Sequence, residues 1–320
     1  MPFPPGYRVR APRLDDGPAI VRMLNDETRA LVGVEFTSLD WVTAPWTAPG
    51  ADLERDFGVV LAPDGAIAGY FFLSSDAPHT SVFSIGGVAL AHHGRGVGSA
   101  IVEELERRAA AFSRLAPAGE PVVWRMGALA EEPQVAALLA AHGFVERRIF
   151  WAMHRRFDGP PEPPGEVPGI AFDVIQPGRE ADVYDCLAEA FEDHFGDSLA
   201  PREIWLHTHV TAVEHHDPSL WHVARREGRV VGALLGLAQA DEDPAFGHVD
   251  LLGVRRAERG RGIGEALLRR SFAQFHDRGR SGVTLIVDSE STTGATRLYE
   301  RAGMTAQPRF SNWERTIRQS

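Results

Sequence analysis

Lysine is absent from this 320-residue chain, and all 33 of its basic residues are arginine. A Walker phosphate loop, a pyridoxal Schiff base and a lysine nucleophile each need a primary amine, so the sequence excludes these three kinds of site. The 44 acidic residues outnumber the arginines and give a formal net charge of −11. That balance argues against a nucleic-acid partner, which calls for a clustered basic surface, and it suits a cationic ligand better.

Cysteine and long apolar segments are also scarce. Cys186 is the one cysteine and cannot form an intramolecular disulfide, so nothing indicates an oxidising compartment. No stretch approaches the ~20 apolar residues that span a bilayer. The N-terminal segment lacks the apolar core of a secretion signal. We therefore expect a soluble, cytoplasmic protein with no membrane partner.

A proline-rich segment at residues 159–169 divides the chain into halves that resemble each other. Proline fixes φ and removes a backbone donor, so we expect an extended linker there. Gly94 and Gly260 lie in matching glycine-rich loops, and AALLAAHGF in the first half matches TRLYERAGM in the second. The sequence thus predicts an internal duplication, with an N-terminal domain over residues 1–158 and a C-terminal domain over residues 170–320.

The same order of predicted elements occurs in each half. An early strand and a helix are followed by a β-hairpin, whose turns are Asp64-Gly65 in the first half and Glu227-Gly228 in the second. A strand, a glycine-rich loop, a helix, another strand and an amphipathic helix complete the unit. This order predicts an α/β fold of two tandem domains. Each would have a mixed central β-sheet flanked by helices, with the glycine-rich loop between a central strand and a helix.

The glycine-rich loop of the second half reads Arg259-Gly-Arg-Gly-Ile-Gly264. Glycines let successive amide N–H groups turn toward a ligand, and the helix N-terminus adds partial positive charge, so the loop predicts a pyrophosphate site. The guanidinium groups of Arg259 and Arg261 also suit phosphate. A dinucleotide-binding loop is the alternative. The glycine spacing of a dinucleotide-binding loop differs, however, from the spacing in this sequence. This segment also follows a hairpin, whereas a dinucleotide-binding loop comes after the first strand of its fold.

These residues resemble the acetyl-CoA-binding motif of the GCN5-related N-acetyltransferases, the GNAT family, whose pattern is Gln/Arg-x-x-Gly-x-Gly/Ala. Residues 287–304, VDSESTTGATRLYERAGM, are similar to the second cofactor motif of that family. The resemblance covers both halves, so it implies a tandem acetyltransferase with acetyl-CoA as the acetyl donor.

The resemblance also implies which residues contact the cofactor. In the second half these are the strand end, the loop, the helix start and a serine that stands where the family usually has asparagine: Leu252, Gly253, Val254, Arg259, Gly260, Arg261, Gly262, Ile263, Gly264 and Ser291. The corresponding residues of the first half are Val88, Gly94, Arg95, Gly96 and Gly98. Whether the first half binds acetyl-CoA stays open.

Three residues of the second half are candidates for proton transfer. Tyr299 occupies the position of the family's tyrosine, which implies a general acid toward the leaving thiolate, and a phenol is well matched to that task. His248 stands where part of the family carries an acidic base, and histidine is a better base near neutral pH. Asp250 lies two residues further along the same predicted strand, hence on the same face. Which of the two is the base stays open.

The first half lacks proton-transfer groups at the aligned positions, where it has Leu139, Val82 and Ser84. We therefore predict a non-catalytic N-terminal domain. In the second half, Glu192 and Asp193 fall where the family's first helices border the acceptor site, so they are candidates for substrate binding. The histidines of this region lack the helical His-Glu-x-x-His spacing, and we predict no metal site.

The sequence therefore predicts an N-acetyltransferase that acts by direct attack of an amine on acetyl-CoA. The expected partner is a small, cationic amine, such as an antibiotic-like molecule, an amino sugar or a peptide amine, and the chain would be a monomer or a homodimer. One alternative is a non-catalytic acyl-CoA-binding sensor, which the presence of Tyr299 disfavours. A dinucleotide oxidoreductase is the other alternative.

Overall fold

The computed structural model describes residues 3–35, 37–130, 132–192, 199–212, 216–240, 243–291 and 294–318. The strands are β1 (Arg8–Arg10), β2 (Phe57–Leu61), β3 (Ile67–Ser74), β4 (Ser81–Val88), β5 (Val122–Leu129), β6 (Val145–Arg156), β7 (Ala171–Val174), β8 (Trp221–Arg226), β9 (Arg229–Leu237), β10 (Phe246–Val254), β11 (Gly282–Asp288) and β12 (Thr305–Arg318). The α-helices are α1 (Gly17–Val32), α2 (Leu39–Thr43), α3 (Leu53–Asp56), α4 (Val97–Ser113), α5 (Pro133–Ala141), α6 (Glu180–Phe191), α7 (Arg202–Leu206), α8 (Ile263–Asp277) and α9 (Ala295–Arg301). Within these ranges, no helix combines the length and the apolar character needed to cross a membrane.

The chain forms two compact units whose boundaries differ from those predicted at the proline-rich segment. The first unit contains Met1–Ile149 together with Arg309–Ser320, and the second contains Phe150–Pro308. Most of the C-terminal strand β12 therefore belongs to the first unit, and most of β6 belongs to the second. Proline content marks where a chain is extended, but it does not show which sheet a terminal strand joins. For this reason the predicted boundaries of 158 and 170 did not show that most of β12 joins the first unit or that most of β6 joins the second.

The sheet of the first unit has the strand order β1-β2-β3-β4-β5-β12. Its strands pair antiparallel except for β4 and β5, which are parallel. On the last strand, Trp313 pairs with Met126 of β5. Apolar side chains from α4 and the sheet, including Leu105 and Trp124, form a core into which the indole of Trp313 packs.

The sheet of the second unit has the order β6-β11-β10-β9-β8-β7. Here β10 and β11 are the parallel pair, and β6 closes the sheet antiparallel to β11. In helix α8, Ile263, Leu267, Ser271 and Phe275 recur every fourth position and are all buried, so this face packs on the sheet. Each unit thus has a mixed sheet with a helix directly after its central strand, and the predicted α/β tandem fold is confirmed.

Candidate active site

A gap opens between the two parallel strands of the second unit. Strand β10 pairs with β9 as far as Val254, but its pairing with β11 ends at Val249. Strand β11 continues along β6 to Asp288, so β10 and β11 diverge beyond Val249. Leu252 and Gly253, two of the predicted cofactor contacts, lie on the diverging part of β10. Backbone amides at such an edge can pair with an extended ligand as another strand would.

A β-bulge interrupts β10 at Asp250. The register jumps between Val249 and Leu251, so Asp250 is the extra residue. A Cβ atom built at Gly247 would lie 2.3 Å from Phe275 of α8. One built at Gly253 would lie 2.8 Å from Leu187 of α6, on the opposite side of the sheet. The simple alternation that placed His248 and Asp250 on one face therefore ends at this bulge, which re-aims the side chains that follow.

The glycine-rich loop turns the chain from β10 into α8. Gly260 has φ +75° and Gly262 has φ +83°, a region that side-chain-bearing residues rarely adopt. A Cβ atom at either glycine would meet nothing within 4 Å, so backbone conformation and not crowding requires glycine there. At Gly264 the reason is packing, because a Cβ atom would lie 3.2 Å from Leu298 of α9. The loop therefore presents its backbone to open space at the start of a long helix, which fits a pyrophosphate group.

The two arginines of this loop have different surroundings. The guanidinium of Arg259 donates from Nε to the Val254 carbonyl (3.1 Å) and from Nη2 to the Ala190 carbonyl (2.8 Å). Arg259 therefore connects the loop to β10 and α6 by hydrogen bonds. The Arg261 side chain is half-exposed, and its Nη1 lies 3.4 Å from a carboxylate oxygen of Glu258. Of the two, Arg261 is the cation that faces solvent beside the loop.

Tyr299 lies on α9 and packs in the core of the second unit, where it is 7% exposed. Burial raises the pKa of its phenol, so the hydroxyl keeps its proton at neutral pH. Ser291, in the connection from β11 to α9, donates its backbone N–H to the Asp288 carbonyl (3.1 Å). Its carbonyl accepts from the N–H of Gly294 (3.3 Å), which shapes the turn before α9.

The two candidate bases have separate partners. Nδ1 of His248 lies 2.8 Å from the hydroxyl oxygen of Thr284, its register partner on β11. Asp250 has a carboxylate oxygen 3.7 Å from Nε2 of His209, which belongs to the turn after α7. Sequence reasoning considered His209 only as a metal ligand and missed this contact. The spacing of four residues from Trp205 indicates that His209 contacts Trp205 on a helix, but no sequence signal links His209 to Asp250.

The predicted acceptor-binding residues are described in part. Glu192 follows α6, its side chain is exposed, and its carboxylate lies 3.8 Å from the guanidinium of Arg256. Asp193 lies outside the described residues. Glu192, the one of these two candidates that lies among the described residues, is therefore next to the basic side chain of Arg256.

The first unit repeats the loop but not the reactive groups. Strands β4 and β5 pair only as far as Ser84, whereas β4 follows β3 to Val88, so the two parallel strands diverge here as well. Gly94 and Gly96 have φ +69° and +79°, and α4 begins directly afterwards with Gly98 in its first turn. Arg95 is exposed between the two glycines. The first unit thus retains the geometry of the glycine-rich loop.

A carboxyl group that sequence reasoning missed lies against the glycine-rich loop of the first unit. Nε2 of His93 lies 2.8 Å from the carbonyl of Val88 and 3.1 Å from Oε1 of Glu27, on α1. Burial, with a contribution from the negative charge of Glu132, raises the pKa of Glu27 to about 7. A Cβ atom at Gly87 would lie 3.2 Å from the Glu27 carboxylate, so this group lies directly over the diverging strand. No motif contains Glu27, and its position became visible only in the fold.

Comparisons with known proteins show what this chain is similar to. Residues 181–304 match the model of the Acetyltransferase (GNAT) family. A mycothiol acetyltransferase from Salinispora tropica is 30% identical over 96% of this chain and 92% of its own length. One from Thermobispora bispora is 32% identical, over 57% of this chain and 62% of its own length. The crystal structure of a GCN5-related N-acetyltransferase from Sphaerobacter thermophilus is 34% identical, with a TM-score of 0.77 over 99% of this chain and 98% of that one.

Proposed function

Because the chain belongs to the GNAT family of acetyltransferases, we propose that its second unit transfers an acetyl group from acetyl-CoA to the amine of a small, cationic acceptor. The divergence of β10 and β11 beside the glycine-rich loop is the observation that carries this proposal. An extended donor in that gap would meet backbone amides along its length and a helix N-terminus at its phosphates.

The residues present fit such a donor. The amides of Gly260, Gly262 and Gly264 would hold the pyrophosphate, with Arg261 beside them as the exposed cation. The backbone of residues 252–254 would pair with the amides of the pantetheine arm. When bound, acetyl-CoA supplies an activated acetyl thioester, and the remaining chemistry is proton transfer and orientation by the chain.

On the acceptor side, His248 would take the proton that the attacking amine loses. The Thr284 hydroxyl lies 2.8 Å from Nδ1 and orients the ring. Direct attack is supported by the position of Cys186. Cys186 lies on α6 with its thiol buried in the core, and burial raises the pKa of this thiol to about 12, so the thiol stays protonated at neutral pH and is poorly suited to carry an acyl group.

On the donor side, Tyr299 would give its phenolic proton to the sulfur of the leaving thiolate. Burial raises the pKa of the phenol, which opposes this transfer, but the same burial destabilises a thiolate formed beside it, and that effect favours transfer of the proton to sulfur. The first unit has Leu139 and Val82 at the corresponding positions, and both are apolar and buried. We therefore assign no chemistry to the first unit.

A cationic acceptor is supported by the net charge of −11 and by Asp250 next to the gap. That similar proteins carry the name mycothiol acetyltransferase supports a small-molecule acceptor. An amino sugar, a peptide amine and an antibiotic-like amine all belong to this chemical class.

Thiol release from acetyl-CoA, measured across a panel of primary amines, tests the proposal. Mass spectrometry should find one acetyl group added to the amine. The value of kcat/KM should fall as salt rises, because salt screens attraction between opposite charges. Acetyl-CoA binding without acetylation of any amine would instead support a non-catalytic acyl-CoA-binding sensor.

A pair of glycine variants locates the donor site. Gly262→Val places a β-branched side chain at φ +83°, so it should distort the loop and abolish acetyl-CoA binding to the second unit. Gly96→Val introduces the same strain at φ +79° in the first unit and should leave the turnover number near that of the wild type. Equal loss of turnover in both variants would contradict the assignment of the reaction to the second unit.

A further inference from the structure

A histidine and a carboxylate face each other beside the bulge of β10. Nε2 of His209 and Oδ2 of Asp250 are 3.7 Å apart. Both side chains are about one-third exposed, at 27% and 34%, so a ligand can reach the pair. The reaction proposed above uses His248 and Tyr299 for proton transfer and gives His209 no task.

The ring of His209 is held in one orientation. Its Nδ1 lies 2.9 Å from the backbone carbonyl of Trp205, and its plane stacks on the indole of Trp205 with centroids 4.6 Å apart at 18°. Trp205 is itself 1% exposed and packs against Tyr184 and Trp221. The stack therefore rests on a rigid part of the core.

The orientation of the ring fixes its hydrogen-bonding role. A carbonyl oxygen only accepts, so the hydrogen bond with Trp205 needs Nδ1 of His209 as its donor. The Thr208 hydroxyl oxygen, 3.1 Å from the same nitrogen, then also accepts, and the neutral ring has its lone pair at Nε2. That lone pair faces Asp250, which also only accepts when it is ionised. The separation of 3.7 Å exceeds a hydrogen bond, so the neutral ring and the carboxylate present two acceptor atoms side by side.

An ammonium group complements this arrangement, since it carries three N–H donors and a positive charge. We infer that His209 and Asp250 together bind the ammonium group of the acceptor before it loses its proton. The inference rests on the proposed acetyl transfer and deepens it. Asp250 becomes a binding residue aimed by the bulge, and His248 remains the base.

The widened helical turn that carries His209 fits a binding role. Residues His207–Thr211 form a π-helical turn after α7, and such turns are frequent at functional sites. The hydroxyl of Thr208 donates to the carbonyl of Ile204 at 3.1 Å, which secures the turn. His209 is thus supported by its own turn on one side and by Trp205 on the other.

The test compares two substitutions at one position. His209→Phe keeps the stack on Trp205 and removes the acceptor atom, whereas His209→Gln retains a side-chain oxygen that can accept in its place. The probe is the primary amine that the wild-type protein acetylates fastest in the panel. We expect His209→Phe and Asp250→Asn each to raise the KM for this amine about tenfold or more, as for the loss of a hydrogen bond to a charged group. The KM for acetyl-CoA should stay unchanged, and His209→Gln should recover most of the loss.

A second readout is independent of turnover. In protein with 15N-labelled histidine, the imidazole resonance of His209, assigned by its loss in His209→Gln, should shift when the amine is added. It should not shift with the N-acetylated product, which lacks the charge. A KM for the amine within about twofold of wild type in His209→Phe, or a parallel rise in both KM values, would overturn the inference while leaving the acetyl transfer standing. If the wild-type protein acetylates no amine, the proposed function fails and the inference fails with it.

Discussion

Trp313 pairs with Met126 across two antiparallel strands that lie far apart in the sequence. The pairing makes Arg309–Ser320 a part of the first unit, whose other residues end at Ile149. A fragment that stops at the proline-rich segment would therefore leave β5 without its antiparallel partner. The first unit is a compact unit of the fold but not a continuous segment of the sequence.

Replacing Trp313 tests this arrangement. The indole is 8% exposed and packs in the first-unit core, so Trp313→Ala should cost about 3–5 kcal/mol of the stability of that unit. Hydrogen exchange followed by mass spectrometry should show faster exchange in β5 and unchanged exchange in β11. Trp41→Ala is the matched control, because Trp41 is in the same unit but 43% exposed. Equal acceleration in β5 and β11 would contradict the division into units.

Tyr299→Phe tests the assignment of the general acid. The ring continues to pack in the core, so binding of acetyl-CoA should persist, while kcat should fall by ~10²-fold because the proton donor is lost. Calorimetric titration with acetyl-CoA and steady-state kinetics measure the two quantities separately. Tyr184→Phe is the control, since its hydroxyl donates to the Ala200 carbonyl at 3.0 Å and has no role in the reaction. Normal turnover by Tyr299→Phe would show that the thiolate leaves without this acid.

The local features of the site could be predicted from the sequence. Positive φ at Gly260 and Gly262 depends on a few consecutive residues, and a glycine at each position is the sequence signal for it. The assignment of most of β12 to the first unit and of most of β6 to the second could not be predicted in this way. Strand β12 has few apolar residues and no regular alternation of them, so its sequence specifies no partner strand, and the partner is decided by tertiary packing.

The contact between His209 and Asp250 was also beyond sequence reasoning. It depends on the bulge in β10, and a bulge is a property of the register between β10 and β9, not of either strand alone. Glu27 was missed for a related reason, since α1 brings it to the loop from outside every motif. Motifs therefore indicated the proposed donor site, whereas the surroundings of the proposed acceptor site required the fold.

Substitutions at His248 and Asp250 decide which residue is the base. A histidine base is active only as the neutral ring, so kcat/KM should fall at acid pH in the wild-type protein. His248→Ala should lower kcat and remove or shift that acidic limb. Asp250→Asn should keep the limb and raise the KM for the amine. A profile in which Asp250→Asn loses the limb and His248→Ala keeps it would reverse the two roles.

Glu27 makes the stability of the first unit depend on pH. Folding raises the pKa of this carboxyl from 4.5 to about 7, through burial and the nearby charge of Glu132, so the folded state holds a proton that the unfolded state has released between these values. The contribution of Glu27 to stability is therefore fully present below pH 4.5 and is lost as pH rises toward 7. A glutamine side chain at this position would carry no charge at any pH, so Glu27→Gln should avoid this loss.

We expect Glu27→Gln to be more stable than the wild type by about 1–3 kcal/mol near pH 8, with the difference shrinking as pH falls toward the ordinary range of a carboxyl. Urea midpoints at several pH values, with hydrogen exchange in β4 to identify the unit that unfolds, measure the effect. Glu54→Gln is the control, because it makes the same substitution at an exposed residue of the short helix α3. A stability difference for Glu27→Gln that grows as pH falls would show that the carboxyl is stabilised as an anion by His93, the opposite of what its burial predicts.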